Sequence, residues 1–480
     1  MDDDAEDAGL AEAGHWLESH ADRVIETHIG RVFLIKDHAY KLKKAVDFGY
    51  LDFSTRDKRA WAVDRELELN RRTAPDLYQS THWITGRDGY LSLDGPGEPI
   101  ERVLKMRRFD PDGVLDKAPG TVRDDFAEAL GRQTARFHAS AETVDGGADS
   151  LGYVIQSNAA HLRQLANELG AADATAAIEA TDAAFERLRP LLAARGAAGQ
   201  VRVCHGDLHL GNILAEDGHA VLFDCIEFND RLSRIDVLYD VAFLLMDLVH
   251  RGQAGGANRL LNGYLDEAAR TFGDQGLTGL RVLPLFMSVR AVVRCHVNAH
   301  QGKPKEAREY LAAAMAHLQP AKASLTAVGG LSGSGKTTYA RRIAPTLGAP
   351  PGAVVLRSDE IRKRLWGVAP TERLPPEAYG LGTSEKVYGR LFEDAQTALA
   401  AGVAVVLDAV FLKPEERSAA EALARTAEVP FDGVWLDAPP QVMAERVAAR
   451  TGDASDADVA VLKAQLERDP GVIGWRTTRA

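Results

Sequence analysis

The sequence predicts mixed α/β and α+β architecture, and three observations carry that expectation. Residues 23–44 alternate β-branched or aromatic residues with polar ones around Lys36, Asp37 and His38, the period of a half-buried hairpin. From Arg123 onward Phe126, Leu130, Thr134 and Phe137 recur at helical spacing, and an Ala-rich span from Ala159 to Ala197 continues in the same mode. At Thr326 the pattern changes to an apolar strand, a glycine-rich loop and a helix, the opening of a parallel sheet flanked by helices. A chain of 480 residues exceeds the length at which one core stops growing, so two or three domains are expected.

Charge and composition narrow the function classes. A formal net charge of -12 argues against coating nucleic acid or an anionic membrane through bulk charge. Three cysteines, Cys204, Cys225 and Cys295, have neither metal-ligand spacing nor the pairing density of a secreted scaffold, and Cys204 and Cys225, both in apolar runs, read as small buried packing residues. The acidic start MDDDAEDAG lacks the basic and apolar segments of a signal peptide, and the apolar run from Val241 is short and interrupted by Asp247. A cytoplasmic protein with no membrane partner is expected.

The chemistry concentrates in HGDLHLGNIL, His205 to Leu214, and in the apolar run VLFDCIEF that contains Asp224. A carboxylate can accept a hydroxyl proton and aim the attacking oxygen, while an amide oxygen and a second carboxylate can hold Mg2+ against phosphates. Asp207, Asn212 and Asp224 stand in the order and spacing that protein kinases use for these roles. With HGD in place of HRD and a second histidine at His209, the loop resembles the HGDLHxGN signature of the aminoglycoside phosphotransferase and choline kinase-like families. The rival reading is that Asp207 and Asn212 only cap a turn. His205 is expected to hold the loop by hydrogen bonds, Asp236 and Asp240 to brace it, and Glu227 to approach acceptor or metal.

The resemblance makes the opening sheet the cover of the nucleotide, with one strand lysine reaching its phosphates. Lys41 is the first choice and Lys43, two residues on and hence on the same face, the second. A helix from Ser54 to Arg71, capped by Ser54 or Thr55 and carrying apolar Trp61, Val63, Leu67 and Leu69, offers Glu66 as the lysine's partner, with Glu68 or Asp64 as alternatives. Strands follow around Tyr78, Tyr90 and Ile100. The last reads as the hinge, whose backbone near Val103 to Met106 would meet adenine, and its basic tail of Lys105, Arg107 and Arg108 is structural or phosphate-binding. Arg290, Arg294 and His296 read as a packed, solvated helix face rather than as part of an acceptor cleft.

The segment Gly330 to Thr337 is G-x-x-x-x-G-K-T, a P-loop. Backbone N–H groups through Gly330, Ser332, Gly333, Ser334 and Gly335 converge on phosphates, Lys336 reaches the outer ones, Thr337 offers its hydroxyl to Mg2+, and Thr338 continues the cradle. Beyond it, VVLRSDEIRKRL places Asp359 at the end of an apolar strand with Arg362 one turn on, VAVVLDAVF ends a second strand in Asp408, and Arg446 and Arg450 fall one turn apart on a helix. This half resembles the gluconate kinase-like, zeta-toxin-like and polynucleotide 5'-hydroxyl kinases of the P-loop class. By that resemblance Asp359 is the base for the acceptor hydroxyl, Arg362 binds acceptor anion, Asp408 supports Mg2+ or the acceptor, and Arg446 and Arg450 neutralise the transferring phosphoryl group. Trp366 and the stretch TERLPPEAYG form the acceptor loop.

The resulting expectation is a protein-kinase-like two-lobed domain followed by a P-loop NTPase domain. The small lobe covers residues 1–104, the large helical lobe with the catalytic loop 105–320, and the P-loop kinase 321–480. Each half would transfer phosphate from ATP, with Mg2+, to a hydroxyl of a small-molecule acceptor. Two rivals stay open: one half serves as a regulatory ATP-binding module, or the C-terminal half is a polynucleotide kinase, which the acidic charge disfavours.

Overall fold

The computed structural model describes residues 2–117, 120, 122–273, 275–450 and 452–479. The chain divides into two compact units, the first made of residues 1–122, 141–154 and 201–240, the second of 123–140, 155–200 and 241–480.

In the first unit, β1 (Arg23–Glu26), β2 (Gly30–Ile35), β3 (His38–Lys43), β4 (Tyr78–Arg87), β5 (Tyr90–Leu93) and β6 (Glu98–Arg107) form one sheet in the order β1-β2-β3-β6-β4-β5. All its pairings are antiparallel. The expected hairpin is β2–β3, closed at Lys36 with φ 53°. The helix Arg56–Asn70 starts at the N-cap Thr55, whose side chain accepts the Lys58 N–H, and it buries Ala62, Val63, Glu66 and Leu69. Trp61 was expected on that apolar face, but it is 56% exposed, because a residue two places from Val63 points to the other side of a helix.

The same unit holds β7 (Val201–Val203), β8 (Ile213–Glu216), β9 (His219–Leu222) and β10 (Arg234–Asp236). β7 pairs with β10 and β8 with β9, both antiparallel. These short ribbons frame two loops. One, from Cys204 to Asn212, runs between β7 and β8; the other, beginning at Phe223, leaves β9.

The second unit combines helices with a five-stranded sheet of β11 (Leu325–Gly329), β12 (Val354–Arg357), β13 (Val405–Asp408), β14 (Phe431–Asp437) and β15 (Arg476–Arg479). The order is β12-β13-β11-β14-β15 and every pairing is parallel. Val328, Val406, Val434 and Leu436 pack with Ala340 and Ala344, so the strands read as continuous apolar runs, as parallel strands covered on both faces must.

Helices Asp124–Ser140 and Ala254–Thr271 of this unit approach backbone to backbone. A Cβ at Gly131 would lie 2.1 Å from the Leu260 carbonyl oxygen, and one at Gly263 would lie 2.5 Å from that of Glu128. Gly131→Ala is therefore expected to cost about 1–3 kcal/mol, since backbone must move to relieve the overlap. The guanidinium midpoint should fall, and an unchanged midpoint would disprove the close approach. The same pair of helices reaches the parallel sheet. Asn258 Nδ2 donates to the Ala353 carbonyl at 2.9 Å, Asn262 Oδ1 accepts the Val355 N–H at 2.7 Å, and Arg341 pairs with Glu128 at 3.0 Å.

Candidate active sites

In the first unit the loop between β7 and β8 is built around Asp240. Its carboxylate is fully buried and accepts the N–H groups of His205 at 3.0 Å and Gly206 at 2.9 Å. His205 Nε2 donates to the Phe223 carbonyl at 2.9 Å, which ties the two loops together, so both residues brace the loop as their positions in the sequence suggested. Asp236 Oδ1 accepts the Leu238 N–H at 2.9 Å, as a helix cap does. The braced loop presents Asp207, whose Oδ2 accepts from Asn212 Nδ2 at 3.0 Å and lies 3.4 Å from His209 Nε2.

In the second of the tied loops, Asp224 adopts φ 64° and donates its N–H to the Tyr78 hydroxyl at 3.1 Å. The next N–H, that of Cys225, goes to Asn70 Oδ1 at 2.9 Å. Such left-handed backbone costs on the order of 1–3 kcal/mol and persists where its surroundings hold it, here Tyr78 and Asn70. Neither residue stood out in the sequence, because each acts through a contact more than 140 positions away.

The two candidate lysines have different partners. Lys41 Nζ bridges Glu66 Oε1 at 2.7 Å and Asp224 Oδ1 at 2.8 Å. Lys43 is wholly buried between Glu66 Oε2, at 2.5 Å, and Glu227. Glu227, a candidate for acceptor or metal, is thus committed to an internal ion pair. Glu68 pairs with Arg65 and Asp64 with Arg102, which leaves Glu66 as the shared partner. Burial opposes charge on Glu66, but the two ammonium groups hold its carboxyl at about 2. Lys43→Met leaves two buried carboxylates short of a cation and is expected to destabilise the protein by about 3–5 kcal/mol. Urea unfolding checks this, and a loss near zero would mean that the pair is not buried in solution.

One expectation fails. β6 is a central strand with β3 on one side and β4 on the other, so the backbone of Leu104 to Met106 points into the two ladders and cannot face a purine. Val103 is likewise buried, with its backbone paired to β4. The Met106 side chain instead packs in an apolar cluster with Ala39, Leu104 and Phe223. Arg107, in the basic tail, pairs with Glu216 at 2.7 Å.

The donors present fit a hard cation. Asn212 spends its amide nitrogen on Asp207, and among the described residues nothing bonds its Oδ1. That oxygen and the Asp224 carboxylate are the ligand types Mg2+ takes.

The second unit holds a cavity of about 870 Å³ lined by Ser332, Gly333, Gly335, Lys336, Thr337 and Thr338, and by Asp359, Arg362, Asp408, Arg446 and Arg450. Gly333, at φ 80°, lies where a Cβ would meet the Met443 carbonyl oxygen at 2.4 Å, which explains glycine there. Lys336 Nζ donates to the Leu331 carbonyl at 3.0 Å, and burial lowers its pKa against the pull of Asp408 and Asp359. Ser334 Oγ is buried with no partner among the described residues, as is Arg450 Nη1. Of these two, Arg450 lines the cavity, and an unpaired buried donor there favours an anion. Thr337 Oγ1 donates to Asp408 Oδ2 at 2.7 Å, an oxygen pair suited to Mg2+.

β12 ends at Arg357, so Asp359 lies in the first turn of the helix Ser358–Leu365 and not at the strand end. Among the described residues no group bonds its carboxylate. Arg362 Nη1 donates to the Ala378 carbonyl at 2.6 Å and its guanidinium lies 4.9 Å from the Tyr379 ring. Trp366 follows that helix, and it is Tyr379, bonded through its hydroxyl to Asp456 at 2.6 Å, that lines the cavity. Arg446 Nη1 reaches the Gly333 carbonyl at 3.4 Å. The helix Pro440–Ala448 stops short of Arg450, so the two arginines do not share a helix, although both line the cavity.

The residue most clearly missed is Arg357. Its guanidinium joins Glu360 at 2.9 Å, Asp453 at 3.1 Å and Asp408 at 3.4 Å, and so fixes the carboxylate that Thr337 meets. The only signal in the sequence was a cation closing an apolar strand.

Both parts of the chain resemble known proteins. Residues 89–278 match the model of the phosphotransferase enzyme family, and residues 325–469 match that of an AAA domain. An uncharacterized protein of Mycobacterium tuberculosis is 33% identical over 463 residues, covering 93% of this chain and 89% of that protein. Among solved structures, a choline kinase from Cryptosporidium parvum is similar at 10% identity and a TM-score of 0.42, over 62% of this chain and 89% of its own. The APS kinase of Mycobacterium tuberculosis in complex with AMPPNP and APS is similar at 25% identity and a TM-score of 0.22, over 27% of this chain and 70% of its own.

Proposed function

Because the chain belongs to the family of proteins that join a phosphotransferase-enzyme domain to an AAA-type P-loop domain, and is on that ground a kinase or phosphotransferase, we propose that both halves transfer phosphate. Each moves the γ-phosphoryl group of ATP to a hydroxyl of a small-molecule acceptor, a sugar, amino sugar or alcohol.

In the N-terminal half Asp207 takes the proton of the acceptor hydroxyl as its oxygen attacks the γ-phosphorus and ADP departs. Lys41, oriented by Glu66, draws the phosphates toward Asp224. Asn212 and Asp224 would hold Mg2+, which when bound neutralises charge on the phosphates. The purine lies against the apolar cluster that contains Met106.

In the C-terminal half Asp359 is the base, with its lone pairs free to accept a proton. Lys336, Ser334, Thr338 and the loop backbone from Gly330 through Ser332, Gly333 and Gly335 cradle the phosphates, and Thr337 and Asp408 would hold the metal ion. Arg362 meets the acceptor, while Arg446 and Arg450 neutralise the phosphoryl group in transit.

The observation that carries the reading is the repeated set. Each unit holds a carboxylate, a lysine and an oxygen pair in positions that suit a base, a phosphate contact and a cation, and a purely regulatory half would not need the first of these. The test is transfer from γ-labelled ATP into pooled sugars, amino alcohols, aminoglycosides and 5'-hydroxyl oligonucleotides, by wild type, Asp207→Ala and Lys336→Ala. Two labelled products, each lost in a different variant, are expected. If only ATP hydrolysis occurs and one variant removes all of it, the two-kinase reading is wrong.

A further inference from the structure

Three imidazoles that take no part in either candidate active site come together in the second unit. His296 and His300 stand one turn apart on the helix Leu283–His300, and His161 meets them from the helix Ala148–Gln164. The His161 and His296 rings stack with centroids 4.4 Å apart, and His300 meets His161 edge-on at 5.4 Å. His300 Nε2 lies 3.4 Å from His161 Nδ1, and one ring nitrogen from each of the three lies within 4.8 Å of the other two.

A single hydrogen bond between two imidazoles accounts for one of these contacts. It does not account for a third ring held against them, and no carboxylate belongs to the cluster among the described residues. Burial disfavours charge on His161 and His296. Neutral imidazoles carry free lone pairs, the form in which histidine binds metals.

The spacing fits such an ion. Zinc–nitrogen bonds of about 2.0–2.1 Å in a tetrahedron place the nitrogens about 3.3–3.4 Å apart. The hydrogen-bonded pair already has that separation, while His296, whose ring is stacked on His161, must turn out of the stack to bring its nitrogen from within 4.8 Å to the same ion. Two histidines at i and i+4 on one helix are a known way to present two nitrogens to one ion.

We propose that His161, His296 and His300 form a binding site for a borderline divalent transition ion such as Zn2+, with three nitrogen ligands and a remaining position for water. The site would fasten the helix Leu283–His300 to its neighbour. It is chemically distinct from both oxygen-lined nucleotide sites, because imidazole selects the later transition metals over Mg2+.

The test uses the full chain, stripped with chelator and titrated with CoCl2 in nucleotide-free buffer containing excess Mg2+ to occupy the oxygen sites. Strong visible absorption of a low-symmetry cobalt site, saturating at about one equivalent and displaced by ZnCl2, is expected. His296→Gln and His300→Gln should each abolish that absorption, with unchanged far-UV circular dichroism and unchanged ATP turnover. His300 lies at the surface, so its replacement keeps the test sound even if the more buried His296→Gln misfolds. Absence of the absorption in wild type, or its persistence in His300→Gln, would overturn the proposal.

Discussion

Asp207→Asn is expected to lower phosphate transfer by the N-terminal half by about 10²–10⁴-fold, the contribution of a positioned general base. The substitution keeps the shape of the side chain, and the oxygen that remains can still accept from Asn212 Nδ2, which lies 3.0 Å from the carboxylate in the native chain. What disappears is basicity. Lys41, Glu66 and Asp224 are untouched, so KM for ATP should change little while kcat falls. Transfer by the C-terminal half should continue at its native rate, because its base and lysine lie in the other unit. Steady-state kinetics with the acceptor found in the labelled panel measures both halves. An N-terminal kcat that stays within a few-fold of wild type would mean that Asp207 serves as a turn cap, or that a different group takes the proton.

Much of the geometry of both candidate sites was legible in the sequence where the candidate residues share short stretches. Asp207 and Asn212 share one loop, and Gly330 to Thr337 is one uninterrupted cradle, so spacing along the chain stands in for spacing in three dimensions. Asp240 could be read as a brace because it opens an apolar helix. Legibility ended where a residue's role depends on what folds beside it. The backbone of Leu104 to Met106 is unavailable to a purine because β3 and β4 flank β6, and nothing within β6 itself announces two neighbours. Lys41 and Lys43 lie on one face of one strand, and only the separate positions of Asp224 and Glu227 tell them apart. Arg357 was passed over because its partners Asp408 and Asp453 come about 50 and 96 residues later. Arg450 was misplaced by a smaller error, the assumption that a helix continues for one more turn.

Lys336→Ala is expected to produce the complementary result, a fall of about 10²–10³-fold in kcat/KM for C-terminal transfer with the N-terminal rate preserved, as for loss of one preorganised group at developing charge. In the native chain the Lys336 ammonium group has the Leu331 carbonyl as its partner, and burial makes its charge costly. Phosphates entering the loop supply the counter-charge that burial withholds, so binding and protonation favour one another. A sign follows for pH. The nucleotide-free lysine has a pKa below its usual 10.5, so raising the pH into that lowered range removes the charge first in the free enzyme and weakens ATP binding. KM for ATP in the C-terminal half should therefore climb on the alkaline side in wild type. In Lys336→Ala that rise should vanish, leaving a KM that is high and flat. A rise that survives the substitution would assign the titration to another group. If N-terminal transfer also collapsed in Lys336→Ala, the halves could not be independent kinases. The C-terminal nucleotide would then control the chemistry of the other half.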